Sequence, residues 1–149
     1  MKGLFVKKIF LILSIFFIST PAFSAGVGYL NYEKVASEYQ YAKTSMREIE
    51  VKGREIENYL KTKETEFNKL ETPLQKQKFQ EIVQNELRTK ENAFNDFRNR
   101  KEEEVYQRIY AVAEKIRLEK GLDVLIDARG VFSGGIDISD VLIQRLNSK

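Results

Sequence analysis

The stretch that decides the fold lies near the middle of the chain and reads Leu70-Glu71-Thr72-Pro73-Leu74-Gln75. Thr72 is a favourable N-cap residue, Pro73 suits the first position of a helix, and Gln75 completes a Thr-x-x-Gln capping box. The stretch therefore predicts that a helix begins here. Around it, residues 54–120 contain no Gly and no second Pro, and they are rich in Glu, Lys, Gln, Arg and Asn, which favours helix on both sides.

Apolar residues recur on both sides of this start at alternating steps of four and three residues, which is typical of a coiled-coil seam. The upstream seam consists of Val35, Tyr39, Ala42, Met46, Ile49, Gly53, Ile56, Leu60, Lys63, Phe67 and Leu70. The downstream seam consists of Val83, Leu87, Lys90, Phe94 and Phe97. Only Gly53, Lys63 and Lys90 are not apolar, so both seams predict long helices that pack along one stripe.

The two seams are mirror images of each other. Leu60 pairs with Val83, and Ile49 pairs with Phe94, about the same midpoint. An antiparallel hairpin requires such mirror spacing, so we predict a helical hairpin with its turn near residues 71–73. A single helix kinked at Pro73 and a parallel coiled-coil rod are the alternatives.

The two ends of the chain carry a different pattern, with short runs of β-branched and aromatic residues bounded by Gly. Residues 27–31 and 122–127 are predicted strands, and a third strand is expected to begin at Val131-Phe132. Ser139 is predicted to cap a short terminal helix that spans residues 140–146.

The expected fold class is therefore mainly α with a small β body. A long antiparallel coiled-coil hairpin, the arm of residues 43–104, is expected to project from a short-stranded base of residues 25–42 and 105–149. Because a sheet of two or three strands is barely stable alone, we expect the base to form a homo-oligomer.

Two sets of residues are candidates for contacts with other chains. The candidate oligomerisation residues are Val27, Tyr29, Leu30, Val124, Leu125, Ile126, Val131 and Phe132. The candidate contacts for a bound protein are the apolar residues off the seam of the arm, namely Tyr41, Val51, Tyr59 and Leu74. Partly buried side chains that serve only the hairpin are the alternative for the second set.

The first 24 residues are typical of a secretory signal peptide. Lys2, Lys7 and Lys8 precede a ten-residue run, 9–18, that only Ser14 interrupts, and a small-residue site follows. Cleavage is expected near Ser24/Ala25, which would leave residues 25–149 as the secreted domain, although the signal alone does not name the compartment. A retained anchor is the alternative, but the run is about half the length that a spanning helix needs.

The charge balance changes when this segment is removed. The whole chain has 25 basic and 22 acidic residues, and residues 1–24 contain three Lys and no acid. The remaining 22 basic residues therefore balance the 22 acidic ones. Zero net charge argues against nucleic acid as a partner and does not support contact with a membrane surface.

The composition also limits the chemistry that the chain can perform. It contains no Cys, no His and no Trp, so the usual ligands of zinc, haem and iron–sulfur clusters are missing, as are the commonest general base and the thiol nucleophile. The sequence also contains no G-x-x-x-x-G-K-[ST] motif. We therefore expect a binding protein without cofactors and not an enzyme.

The order of these features resembles the Skp (OmpH-like) family of periplasmic chaperones. The most specific similarity is the end of the chain: Leu122-Asp123-Val124-Leu125-Ile126-Asp127, then Val131-Phe132, then Asp137-Ile138-Ser139 and an apolar helix. Residues 27–31 are similar to the opening strand of that family. The chain departs from the family in having Ser139 where Thr is usual and in its zero net charge.

The resemblance implies a homotrimer with a β-structured body and three helical arms around a cavity. It implies an ATP-independent holdase in the periplasm that binds unfolded outer-membrane proteins and prevents their aggregation. The zero net charge puts binding of lipopolysaccharide and anionic lipid in doubt. A structural coiled-coil scaffold of the cell envelope is the alternative function.

Overall fold

The computed structural model describes residues 26–148, so the signal peptide expected over residues 1–24 lies outside the described part. The elements in chain order are β1 (Val27–Leu30), α1 (Tyr32–Glu38), α2 (Gln40–Asn68), α3 (Pro73–Glu119), β2 (Val124–Asp127), a 3₁₀ turn (Ala128–Gly130), β3 (Ile136–Asp137) and α4 (Ser139–Asn147). This arrangement confirms the expected fold class, which is mainly α with a small β body.

The hairpin is formed by α2 and the first part of α3. The Thr72 side chain accepts a hydrogen bond from the Gln75 amide, and the Gln75 side chain accepts one from the Thr72 amide, so the predicted capping box is present. The 29 residues of α2 give an arm about 43 Å long at 1.5 Å per residue. In contrast to α2, α3 does not stop where the arm meets the base but continues into it.

The seam of the arm is thin because two helices alone cannot enclose a core. Gly53 faces Phe94, which is one helical turn away from the predicted pairing of Phe94 with Ile49. Cations cover several of the aromatic rings, as where Lys90 Nζ lies 4.8 Å from the ring centroid of Tyr59. Lys101 also reaches across the hairpin to Glu48, with 2.7 Å between Nζ and Oε2. The interactions that stabilise the arm are therefore accessible to solvent.

The base is built around a three-stranded parallel sheet in the order β2-β1-β3. Strand β1 is central, and Val27 pairs with Val124 while Gly28 pairs with Ile136. The core packs beside this sheet and joins α1, α3 and α4. Its buried members are Val35, Tyr39, Val105, Ile109, Ala113, Ile116, Leu122, Ile138 and Leu142.

The sequence suggests that the third strand begins at Val131-Phe132, but the structure does not have a strand there. These two residues follow the 3₁₀ turn and lie outside any strand, and Phe132 is fully exposed. Gly134 and Gly135 have φ values of 80° and 90°, a backbone conformation that other residues rarely adopt. This glycine pair redirects the chain, so that Ile136–Asp137 forms the strand beside β1 instead.

Ser139 is not the N-cap of the last helix, because the helix begins with it. Its hydroxyl accepts a hydrogen bond from the Asn31 amide at 2.9 Å and donates one to Asp137 Oδ1 at 2.6 Å. Asp137 also accepts from the Ser139 amide at 2.8 Å. The carboxylate of Asp137 therefore performs the capping role, while Ser139 ties β1 to the start of α4.

The capping carboxylate predicts a pH dependence of stability. Hydrogen bonds from the hydroxyl and the amide of Ser139 hold the pKa of Asp137 below its usual value. A lowered pKa stabilises the folded state above the unfolded pKa of about 3.9, and this contribution disappears as the pH falls through the folded pKa. We expect Asp137→Ala to lower the free energy of unfolding by about 1 kcal/mol at pH 7 and by less below pH ~3.9.

Urea unfolding at several pH values measures this difference. Asp137→Asn is the matched control, because it keeps an acceptor oxygen and should retain most of the stability without the pH dependence. A loss from Asp137→Ala that is equal at pH 7 and at pH ~3 would contradict the assignment.

Candidate functional site

An open apolar groove of about 800 Å³ lies on the base between α3 and β2. One wall is aromatic. Tyr106 and Tyr110 are four residues apart, so they share one face of α3, and their ring centroids are 6.2 Å apart. Tyr32 extends this wall from α1, with its ring centroid 6.4 Å from that of Tyr106. Burial, followed by the neighbouring Tyr106 and Glu102, raises the pKa of Tyr32.

The opposite wall of the groove is strand β2. Val124, Leu125 and Ile126 line it, and Val124 and Ile126 are exposed although they are apolar. Within the described residues β2 pairs only with β1, so its outer edge has unpaired backbone groups. The groove thus combines apolar side chains with a free strand edge, which is a surface suited to another polypeptide.

The structure brings part of the predicted oligomerisation set together. Leu30, Val124, Leu125 and Ile126 line the groove. The remaining four residues of that set are outside its lining: Val27, Tyr29, Val131 and Phe132.

The sequence analysis missed Tyr32, Tyr106 and Tyr110 as groove residues. The i,i+4 spacing of Tyr106 and Tyr110 was a signal for a shared aromatic face on α3, next to the buried core residues Val105 and Ile109.

Two of the four predicted contact residues on the arm form bonds within the hairpin. The Tyr41 hydroxyl donates to Glu104 at 2.6 Å, and the Arg108 guanidinium lies 4.1 Å from the centre of its ring. The Tyr59 hydroxyl donates to Glu86 at 2.6 Å; burial and this hydrogen bond raise the pKa of Tyr59 to about 12. Both tyrosines therefore join the two helices of the arm.

The other two predicted contact residues are exposed. Val51 lies in the third of the arm nearest the base, and Leu74 lies at the tip with 62% of its surface exposed. Neither lines one of the larger depressions of the surface. They are isolated apolar points on a charged surface.

A second apolar depression, of about 500 Å³, lies where the arm meets the base. Ala42, Met46, Ile49 and Val105 line it, and Met46 is 57% exposed. The Ser45 hydroxyl also borders it, is buried, and has no hydrogen-bond partner among residues 26–148. The sequence pattern assigned Met46 to the seam of the hairpin, but its flexible side chain is available to a bound chain instead.

The most distinct features of the described residues are apolar surfaces that another polypeptide could contact. Within residues 26–148, no three Asp or Glu side chains come together in a way that could hold a metal ion. In the same part of the chain, no helix is both long enough and apolar enough to cross a membrane. The arrangement can bind an apolar segment in the groove, in the depression at the arm root, and at points along the arm.

Comparisons with known proteins give the family. A sequence profile described as outer membrane protein (OmpH-like) matches residues 26–146. One similar solved structure, from Caulobacter crescentus CB15, is provisionally named as an outer membrane chaperone (OmpH-like). The two chains are 14% identical, the match covers 82% of this chain and 83% of that one, and the TM-score is 0.58, which shows a shared fold. A search of curated proteins finds no significant match. Because the profile spans most of its length, the chain belongs to the outer membrane protein (OmpH-like) family.

Proposed function

We propose that the protein is an ATP-independent periplasmic holdase, which as a homotrimer binds unfolded outer-membrane proteins and prevents their aggregation. The observation that carries this proposal is the amount of apolar surface that one chain leaves uncovered at two separate places. The groove lies on the base, and the depression lies at the root of the arm. The family and the chaperone name of the similar structure support the same function.

The groove on the base is assigned to contacts between copies of the chain. Its free strand edge and aromatic wall offer both backbone hydrogen bonds and apolar area to a partner. The base core is small, so covering this groove adds apolar burial that one chain cannot supply alone. The number three comes from the family resemblance.

The arm is assigned to the unfolded client. Met46 at the arm root and the isolated Val51 and Leu74 offer weak contacts at separate points, and several weak contacts along one client add up to retention. No nucleotide motif occurs in the sequence, so release needs no ATP in this scheme. Contacts of this kind cover exposed strands of a client and keep them from pairing with each other.

The location rests on residues 1–24. A signal peptide cleaved near Ser24/Ala25 would deliver residues 25–149 to the periplasm, where outer-membrane proteins pass before they fold. With zero net charge after cleavage, neither nucleic acid nor a membrane surface is a proposed partner.

The test adds a urea-unfolded outer-membrane barrel protein to the purified, processed protein and follows mass by light scattering. We expect a trimer that takes up the client into a soluble complex of defined mass. Bovine serum albumin at the same concentration is the control for unspecific protection. A trimer in whose presence the client precipitates as it does with albumin would favour the envelope scaffold, and a stable monomer would overturn the proposed assembly.

A further inference from the structure

The leg of the arm that includes α2 is interrupted where it meets the base. Helix α1 ends at Glu38 and α2 begins at Gln40, because Tyr39 between them has ψ 121°, an extended conformation. In an unbroken helix the Gln40 amide and the Glu38 carbonyl would bond to backbone groups four residues away. The extended residue moves both groups out of line with those partners.

The side chain of Asn147, near the other end of the sequence, forms hydrogen bonds with both of these groups. Asn147 Oδ1 accepts a hydrogen bond from the Gln40 amide at 2.9 Å. Asn147 Nδ2 donates one to the Glu38 carbonyl at 3.1 Å. A carboxamide is the side chain that offers an acceptor and a donor side by side, so it can replace the missing backbone partners on both sides of the break.

Asn147 is fixed to the base. It is the last residue of α4, and the same helix places Leu142 in the core with none of its surface exposed. Asn147 itself is exposed, so water can replace its two bonds and the bridge can open reversibly.

The other leg of the arm is continuous. Helix α3 runs from the tip into the base, where Val105, Ile109 and Ile116 are buried. When a rod made of two parallel legs bends in their common plane, one leg must slide along the other. With axes roughly 10 Å apart, a swing of about 20° requires a slide of about 3.5 Å. A hydrogen bond does not survive such a displacement, because its geometry is lost beyond about 3.5 Å between donor and acceptor.

We propose that Asn147 is a positioning residue that sets the direction of the arm, and that the arm swings in the plane of its two helices only when the Asn147 bridge opens. The joint then lies on the arm side of Tyr39, whose side chain is 6% exposed and stays in the core of the base, while α3 is the leg that bends. The effect on arm direction stands without the proposed holdase function. Opening of the bridge would also adjust the space available to a client, and this consequence rests on the proposed holdase function.

The experiment measures arm direction without any client. The chain has no Cys, so Glu57→Cys on the arm and Gln144→Cys on α4 allow two spin labels to be attached specifically. The labelled chain is diluted into a large excess of unlabelled chain, so that each assembly carries one labelled copy. Electron–electron double resonance then gives the distribution of distances between the two labels.

We expect Asn147→Ala to broaden this distribution by about 5 Å, because an arm released to swing by ~20° moves its middle by several ångströms. Asn147→Asp keeps the acceptor for Gln40 and loses the donor for Glu38, so it should lie between the parent and Asn147→Ala. Ser148→Ala, at the next and equally exposed position, is the matched control and should leave the distribution unchanged.

Thermal unfolding of the same variants separates positioning from general stability. The proposal expects the melting temperature to change by no more than a few degrees while the distances broaden. Unchanged distances in Asn147→Ala overturn the proposal. A large drop in melting temperature also overturns it, since Asn147 would then stabilise the base as a whole. Because no client is present, neither result depends on the holdase proposal.

Discussion

Tyr110→Glu is expected to dissociate the proposed homotrimer into single chains. Tyr110 is 56% exposed in one chain and stacks on Tyr106 along the aromatic wall of the base groove. If a second copy covers this groove, the substitution buries an additional carboxylate beside Arg117, which is already paired with Glu114, and an uncompensated buried charge costs several kcal/mol. About 3 kcal/mol corresponds to a roughly 100-fold weaker association, enough to shift the mass seen by light scattering at micromolar protein.

Leu118→Glu provides the matched control for this variant. Leu118 lies on the same helix and is 63% exposed, but it does not line the groove. Both variants add one negative charge to α3, and Leu118 lies in the last turn of this helix, where a carboxylate is less favourable than at Tyr110, so the control is the more demanding of the two for stability. Should Tyr110→Glu keep the mass of the parent, or Leu118→Glu dissociate equally, the groove is not the contact between copies.

Leu142→Ala is expected to lower the free energy of unfolding of the base by about 3 kcal/mol. Leu142 is completely buried and belongs to the core that joins α1, α3 and α4. The substitution removes apolar burial and leaves a cavity that this small base has few ways to fill. Urea unfolding followed by circular dichroism measures the change, at one fixed chain concentration because assembly also contributes to stability.

Leu74→Ala is the control for the buried substitution. The Leu74 side chain is 62% exposed at the tip of the arm, so its loss should change the free energy of unfolding by less than about 0.5 kcal/mol. Equal midpoints for Leu142→Ala and Leu74→Ala would show that the base core does not limit the stability of the chain.

The hairpin could be predicted from sequence because its signals are local and repeated. The Thr72–Gln75 capping box places one helix start within a few residues, and the seam repeats the same periodic information many times along each leg. A mistake at a single seam position, such as the exposed Met46, leaves the prediction of the hairpin intact.

The base was predicted less well because its details depend on distant partners. Val131-Phe132 has the composition of a strand, but the conformation of Gly134 and Gly135 decides which residues reach β1. Ser139 is a residue type that favours N-cap positions, but its hydroxyl accepts a hydrogen bond from the Asn31 amide, 108 residues away. Strand and cap preferences describe what a residue tolerates, and tertiary contacts select among the options.

The same reason applies to the candidate contacts. Tyr41 and Tyr59 were candidates for contact with a bound protein because they lie off the seam, with a role inside the hairpin as the alternative; Glu104 and Glu86 across the hairpin accept hydrogen bonds from their hydroxyls. Periodicity predicts on which side of a helix a residue lies. It does not predict which polar side chain of the other helix is long enough to reach that residue. Both pairs are offset by two residues from the mirror relation of the seam, which places residues 102 and 84 opposite Tyr41 and Tyr59.

The central position of β1 has a consequence for biosynthesis. Strand β1 is the first of the described elements to be synthesised, but both of its neighbours, at residues 124–127 and 136–137, are synthesised almost last. Contacts between residues so far apart in sequence form slowly, whereas the two legs of the hairpin can associate as soon as both are available. The arm can thus form before the base, and a chain that stalls before residue 124 would leave β1 without either of its neighbouring strands.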